Sequence, residues 1–121
     1  MSDRVWMNVY VTVNEGKLEE FRAMANDWVT THLENTPEIL AYEWFHRKDD
    51  EMKVQVMELY ASSEAMIDYL TRGGGDTFKP PYPYTVDKME VLGNLSDALR
   101  KRFDGGEMKP EYFDPFDGFS R

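Results

Sequence analysis

The 121-residue sequence contains no cysteine and only two histidines. Without thiols, the chain cannot form disulfides, thiolate nucleophiles, zinc fingers or cysteine-ligated iron–sulfur clusters. His32 and His46 are fourteen positions apart with no cysteine to accompany them, so they do not form a recognisable metal-ligand set. No loop has the ligand spacing of a calcium-binding EF-hand. The sequence therefore predicts no metal site.

Basic residues are also scarce: 14 Lys and Arg stand against 23 Asp and Glu, which gives a formal net charge of −9. Nucleic acids and anionic membranes are both bound through clustered positive charge. We therefore expect the chain to bind neither of them. No stretch approaches the ~20 apolar residues of a membrane span, and the first residues do not resemble a signal peptide. A cytoplasmic location is expected.

Apolar residues make up 41% of the chain and aromatic residues 14%, which suffices for one folded domain. Strands are predicted, from period-two alternation, at residues 5–13, 39–46, 53–60 and 85–92. Helices are predicted, from the helical period, at residues 17–34, near residues 62–70 and from Asn94 onward. The β-α-β-β-α-β order is typical of a ferredoxin-like α+β fold, in which both crossover helices cover one face of a four-stranded antiparallel sheet. We expect a single domain with its core at residues 4–93 and a C-terminal helix and arm at residues 94–121.

Short polar residues and loops mark the ends of these elements. Ser62 is predicted to cap the second helix and Asn94 the third, because their side chains can accept hydrogen bonds from the first helical N–H groups. His32 lies on the apolar stripe of the first helix, where we expect it to cap the last carbonyls. Residues 47–51 are predicted to form a charged hairpin loop, and residues 73–84 a long loop rich in Gly, Pro and aromatic residues.

The first strand is apolar on both of its faces. One face carries four valines and Met7, while the other carries Trp6 and Tyr10. Helices on one side of the sheet would leave the second face in water, and large exposed apolar patches normally mark interfaces. We therefore predict a homodimer in which the sheet of a second copy covers this face, as a dimeric α/β barrel. Cover by the chain's own C-terminal arm is the alternative.

The C-terminal arm combines helix breakers with aromatic residues. Prolines and glycines within residues 104–121 exclude a long helix. The same segment carries Tyr112, Phe113, Phe116 and Phe119, which are too apolar for a free tail. We expect the arm to dock on the domain or on a partner chain.

Two segments resemble a known family. Residues 9–21 read VYVTVNEGKLEEF, an aliphatic strand followed by a Gly-Lys helix entry and by acidic residues before an aromatic. Residues 56–66 read VMELYASSEAM, in which a Glu precedes an aromatic and a Ser-x-Glu-Ala helix start. Both segments are similar to the antibiotic biosynthesis monooxygenase domains, and the resemblance covers about residues 5–70.

This resemblance implies a dimeric α/β barrel and, for some members, oxidation of quinol-like polyaromatics by O2 with no cofactor. Haem-degrading relatives use a histidine late in the second helix, or just after it, as an axial ligand. Residues 69–76 contain no histidine, so haem degradation is not supported. We therefore expect a cofactor-independent monooxygenase for a small aromatic or quinol-like compound. The alternative is a non-catalytic homodimeric domain that binds a small ligand or serves in assembly, since a fold does not specify a function.

A cofactor-free oxygenation requires an apolar pocket with a few groups that accept a proton or hold an oxyanion. The catalytic candidates are Asn8, Glu58 and His46. The candidates for substrate binding are Tyr10, Tyr42, Trp44 and Tyr69.

Each candidate also has a purely structural interpretation. Asn8 can hydrogen-bond across a dimer interface, while Tyr10 and Trp44 can serve as packing aromatics. Glu58 can act as a base with a raised pKa if it is buried, or it can pair with Arg or Lys. His46 ends a strand beside a charged loop, where solvent exposure is expected. The strand register decides which candidates share a face, and the sequence leaves it open.

Overall fold

The computed structural model describes residues 3–72, 81–106 and 108–121. In chain order the elements are β1 (Val5–Val13), α1 (Leu18–Asn35), β2 (Ile39–Arg47), β3 (Asp50–Tyr60), α2 (Ser63–Thr71), β4 (Tyr84–Leu92), α3 (Asp97–Asp104) and β5 (Glu111–Phe113). The predicted ferredoxin-like order is confirmed. Most of the loop predicted at residues 73–84 lies outside the described residues. Within the described ranges, no helix is both long and apolar enough to cross a membrane.

The sheet has five strands in the order β2-β3-β1-β4-β5. Strand β1 is central, antiparallel to β3 on one side and to β4 on the other, and β2 lies beyond β3. These four strands confirm the predicted antiparallel sheet. The C-terminal arm adds β5 as a short parallel strand beside β4. Without β5, this edge of β4 would have unpaired N–H and C=O groups, which the β5 backbone satisfies.

Strand register divides the sheet into two faces with different surroundings. On the helix face, Val5 lies opposite Tyr60 and Met7 lies opposite Glu58. The helices bury this face and form the core with it. The buried helical residues of the core are Phe21 and Met24 of α1, Met66 and Tyr69 of α2, and Leu99 and Phe103 of α3.

We call the other side of the sheet the open face, because none of the described helices covers it. Its residues include Trp6, Asn8, Tyr10, Glu43, Phe45, Lys53, Gln55, Met57, Leu59, Lys88, Glu90, Leu92, Glu111 and Phe113. Phe45 keeps 46% of its surface exposed and Phe113 keeps 43%. The sheet therefore has the second aromatic face that the sequence predicts, and β5 lengthens that face at its edge.

The start of α2 agrees with the prediction, and the hairpin is tighter than predicted. The Ser62 Oγ accepts a hydrogen bond from the Ala65 N–H at 3.1 Å. Strand β2 continues to Arg47 and β3 begins at Asp50, which leaves a turn of two residues. The predicted charged loop is shorter because its outer residues join the antiparallel ladder.

The cap predicted for the third helix is wrong. Ser96, not Asn94, is the N-cap of α3, since its Oγ accepts a hydrogen bond from the Leu99 N–H at 3.1 Å. Both residue types make good caps. A tertiary contact accompanies the observed choice, because the Ser96 N–H donates to the Ser63 Oγ at 3.0 Å and ties α3 to the start of α2.

Gly93 lies where the end of β4, the start of β1 and the arm meet. Its φ is +135°, a conformation that L side chains rarely adopt, and a Cβ built on it would lie 2.8 Å from the Arg4 carbonyl oxygen. Its N–H donates to the Phe113 carbonyl at 3.0 Å. Both the backbone conformation and the close approach therefore require glycine.

We expect Gly93→Ala to lower the free energy of unfolding by about 3 kcal/mol, because backbone strain and the clash with Arg4 add together. Gly16→Ala is the matched control: its φ is +77°, but no atom lies within 4 Å of the added Cβ. It should lose about 1 kcal/mol from backbone strain alone. Urea denaturation of both variants measures the difference, and equal losses would contradict a role for the Arg4 contact.

Candidate functional site

The helix face of β3 contains a buried carboxyl group. Glu58 lies opposite Met7 of β1 and Tyr42 of β2, and 5% of its surface is exposed. Its Oε1 accepts a hydrogen bond of 2.5 Å from the Tyr60 hydroxyl. None of the described basic side chains forms an ion pair with it. The Arg or Lys pairing considered for Glu58 is therefore absent from the described residues, and a tyrosine takes that place.

Burial determines the protonation of Glu58. Loss of water around the carboxylate raises its pKa to about 7, although the Tyr60 hydrogen bond favours the charged form and opposes the rise. The side chain therefore exchanges its proton near neutral pH. A general acid or base works best when its pKa lies near the pH at which it operates.

Three tyrosine hydroxyls surround this carboxyl group. Burial raises the pKa values of Tyr42, Tyr60 and Tyr69, and the negative charge of Glu58 raises them further. All three therefore remain protonated at neutral pH and can serve as hydrogen-bond donors. A developing oxyanion in this layer would meet hydroxyl groups in a medium poor in water, where such hydrogen bonds are strong.

His32 completes the layer from the side of α1. Its Nε2 lies 3.1 Å from the Tyr69 hydroxyl, and burial lowers its pKa, so the ring is neutral at pH 7. Its Nδ1 has no hydrogen-bond partner among the described residues. Since a buried N–H without a partner is unfavourable, the proton belongs on Nε2, which then donates to Tyr69. Tyr69 thereby keeps its own hydroxyl hydrogen for another acceptor.

We call these five residues the buried cluster: His32, Tyr42, Glu58, Tyr60 and Tyr69. The sequence predicts three of them as site residues, and the prediction that His32 caps its helix is wrong. The side chain of His32 instead packs edge-on against Tyr42, with 4.7 Å between the ring centroids. The available signal was its place on the apolar stripe of α1, since a buried imidazole must find a polar partner.

Tyr42 and Trp44 form the side of the cluster nearest to solvent. Their rings meet edge-on with centroids 5.9 Å apart, and Trp44 continues to Phe21 at 5.5 Å. Both side chains are partly exposed, whereas Glu58 is buried. An aromatic compound that approached Glu58 from solvent would meet these two rings first.

Asn8 and Tyr10 lie on the open face, separated from Glu58 by the sheet. The Tyr10 hydroxyl donates to Glu90 Oε1 at 2.8 Å, and the Asn8 amide N–H donates to the same oxygen at 3.4 Å. Lys88 forms an ion pair with the other oxygen of Glu90 at 3.2 Å. The Asn8 Oδ1 is buried and has no hydrogen-bond partner among the described residues.

His46 lies at the far end of β2 and is exposed, as the sequence predicts. Its Nδ1 is 3.0 Å from the Arg47 carbonyl oxygen. With Lys53 and Asp87 it lines a hollow of about 320 Å³ at this end of the sheet. The structure thus brings together Glu58, Tyr42, Trp44 and Tyr69 from the predicted residues, and it places Asn8, Tyr10 and His46 elsewhere.

The sequence matches a known protein family. The profile of the antibiotic biosynthesis monooxygenase family matches residues 4–74, which is more than half of the chain. The chain belongs to the antibiotic biosynthesis monooxygenase family. The resemblance noted in the sequence is therefore confirmed. The matched span runs from β1 through α2 and includes every residue of the buried cluster, and domains of this family are generally dimeric.

Solved structures share the fold of this monooxygenase-family chain at low sequence identity. MupZ from Pseudomonas fluorescens is 21% identical with a TM-score of 0.85, over 100% of this chain and 91% of its own. SnoaB, a cofactor-independent oxygenase from Streptomyces nogalater, is 12% identical with a TM-score of 0.51, over 74% and 91%. A conserved protein from Methanosarcina mazei is 8% identical with a TM-score of 0.60, over 73% and 89%. No curated protein sequence matches the chain significantly.

The raised pKa of Glu58 predicts how stability depends on pH. The folded-state pKa of about 7 lies above the ordinary value of 4.5, so this group's contribution to stability is present below pH 4.5 and is lost as the pH rises to about 7. Glu58→Gln cannot titrate and should lack that loss. Between pH 4.5 and about 7, the free energy of unfolding of the variant minus that of the wild type should therefore rise by about 3 kcal/mol.

Urea denaturation of both proteins at several pH values measures this gain. Tyr60→Phe provides a second check, because removing the hydrogen bond should raise the pKa of Glu58 further and move the loss of stability to higher pH. A constant difference between wild type and Glu58→Gln at all pH values would contradict the raised pKa.

Proposed function

We propose that the protein is a cofactor-independent monooxygenase for a small aromatic, quinol-like compound. The observation that carries the proposal is the carboxyl group of Glu58, buried without a cation, with a pKa of about 7, beside tyrosine hydroxyls. Membership of the monooxygenase family supports the proposal, and so does the fold shared with SnoaB. The substrate class is expected to match the aromatic surroundings of Glu58.

The chemistry begins with a proton transfer. The Glu58 carboxylate takes the proton of a phenolic hydroxyl, and the electron-rich anion passes one electron to O2. The resulting substrate radical and superoxide combine into a peroxide anion, to which Glu58 returns the proton. The hydroperoxide then loses water and leaves a ring carbonyl. One oxygen atom of O2 enters the product, the other leaves as water, and the substrate supplies all the electrons.

The other residues would position the substrate and its charge. Tyr42 and Trp44 provide edges and faces for an aromatic ring at the solvent side of the cluster. The Tyr69 hydroxyl, oriented by His32, would donate a hydrogen bond to the substrate oxyanion. Tyr60 would hold the Glu58 carboxylate in place. The dry surroundings strengthen each of these interactions.

We further propose that the protein is a homodimer in which two open faces pack together. In that arrangement Trp6 and Phe45 would be buried in the interface, as is expected for a large apolar patch. Asn8 lies on the face that this arrangement covers. In this proposal Asn8 and Tyr10 serve assembly, and Glu58 serves the reaction.

A non-catalytic domain that binds a small ligand is the second candidate. The observation in its favour is that two hollows, of about 320 and 820 Å³, both lie away from Glu58. A ligand held in either of them would not meet the buried carboxyl group. The two candidates therefore differ in whether substitution of Glu58 affects the response to a quinol.

Oxygen uptake with a panel of naphthoquinols tests the catalytic proposal. The wild type should consume O2 faster than the uncatalysed background, with kcat/KM rising as the pH passes about 7, because the base must be deprotonated. Glu58→Gln should lower kcat/KM by about 10²–10⁴-fold. Glu19→Gln, at an exposed position in the first turn of α1, is the control and should leave the rate unchanged.

The outcomes separate the two candidates. Background oxygen uptake with every quinol would contradict the catalytic proposal. So would a rate that Glu58→Gln leaves intact. A quinol that binds to wild type and to Glu58→Gln with equal affinity, and is not turned over, would favour the non-catalytic domain.

A further inference from the structure

The C-terminal arm follows a defined path outside the core. Strand β5 pairs with β4, and the Phe113 carbonyl accepts a hydrogen bond from Gly93 at 3.0 Å. At the other end of the arm, the Arg121 carbonyl accepts a hydrogen bond from the Arg4 guanidinium at 3.1 Å. Residues 114–121 are therefore attached to their own domain at both ends.

Two phenylalanines of this attached segment face water. Phe116 is 96% exposed and Phe119 is 81% exposed. The Arg121 guanidinium lies over the Phe119 ring, 4.7 Å from the ring centroid. Large aromatic side chains contribute to stability when they are buried. Two of them exposed on an attached backbone therefore indicate a surface that another molecule buries.

The same segment borders a groove that continues the open face. The groove has a volume of about 820 Å³, and its walls include Arg4, Trp6, Leu92, Phe113, Phe116 and Phe119. Trp6, Leu92 and Phe113 belong to the open face. A body that covers the open face therefore reaches the groove without interruption.

The total exposed surface of the chain indicates how large a partner on the groove and the open face should be. The chain exposes 7948 Å² at a mass of 14.2 kDa. A compact monomer of that mass exposes roughly 6,800 Å². The excess of roughly 1,200 Å² is larger than the ~800 Å² that each partner buries in a standard interface. An excess of this size is comparable with the surface that one subunit buries in a dimer, and a small ligand in the groove would cover less of it.

We propose that residues 114–121 form an intersubunit clasp, in which Phe116 and Phe119 pack against a second copy of this chain. The clasp rests on the proposed paired-sheet dimer and is independent of the reaction. Turning residues 114–121 onto their own open face would break the hydrogen bond between Arg4 and the Arg121 carbonyl. A two-fold dimer would use the clasp twice, once from each subunit.

A second copy is the occupant that the charges favour. The register places Glu43, Glu90 and Glu111 on the open face together with Lys53 and Lys88, so this face carries both signs of charge. Two copies can place these mixed charges against each other around the apolar residues. Domains of the family are generally dimeric, which makes the groove continuous with an interface expected for the whole family.

Sedimentation equilibrium of the full chain tests the clasp. The double variant Phe116→Ser/Phe119→Ser should raise the dimer dissociation constant at least thirtyfold, because each subunit loses both apolar contacts. The matched control, Phe116→Leu/Phe119→Leu, keeps apolar side chains and should stay within about fivefold of the wild type. Thermal unfolding followed by circular dichroism checks that the serine variant is folded.

A second measurement does not depend on a weakened dimer. Photo-reactive benzoylphenylalanine in place of Phe116 should crosslink to another copy of the chain and give a covalent dimer on irradiation. A crosslink confined to its own chain would overturn the clasp.

The remaining outcomes separate the clasp from the other proposals. A serine variant that dimerises as tightly as the wild type would overturn the clasp and leave the paired-sheet dimer standing. A wild type that is monomeric at micromolar concentration would overturn both. None of these measurements depends on oxygen uptake. A dimer that uses the clasp but never consumes O2 would therefore contradict the catalytic proposal alone.

Discussion

The structure depends on one constraint: strand β1 carries apolar side chains on both faces, and both faces must be kept from water. β1 is hydrogen-bonded to β3 and β4, and it is apolar on the helix face, with Val5 and Val11, and aromatic on the open face, with Trp6 and Tyr10. The helices satisfy the first face within one chain. The second face has no cover among the described residues. One chain therefore covers only one side of its own sheet, and the proposed second copy would cover the other.

The pairing of β1 with β3 also decides which polar side chains lie on the helix face. A period of two sends Glu58 to the helix face and Asn8 to the open face, although both occupy central strands. Glu58 is thereby placed in a layer of tyrosines without a cation, where its charged form is poorly solvated and its pKa rises. A carboxyl group with a pKa near neutral is what the proposed reaction requires of its base.

Much of the fold could be predicted because its signals are local. The alternation of residues 5–13 and the cap at Ser62 depend on neighbours a few positions away, and both are observed. The predictions that were wrong depended on distant contacts. Ser96 replaces Asn94 as a cap beside Ser63 of another helix, and His32 finds its hydrogen-bond partner in Tyr69, thirty-seven positions away. The parallel strand β5 likewise forms only because the edge of β4 is close by.

The sequence by itself determined the order of strands and helices, the family and the presence of two apolar faces, because each of these follows from residue types at short spacing. Only the tertiary structure decided that Glu58 and Tyr42 share a buried layer, that Asn8 does not, and that Phe116 and Phe119 project into solvent. The physical reason is that strand register and burial arise from pairing between distant segments. A shift of one residue in that pairing would exchange the two faces, and no local pattern in the chain records which pairing is formed.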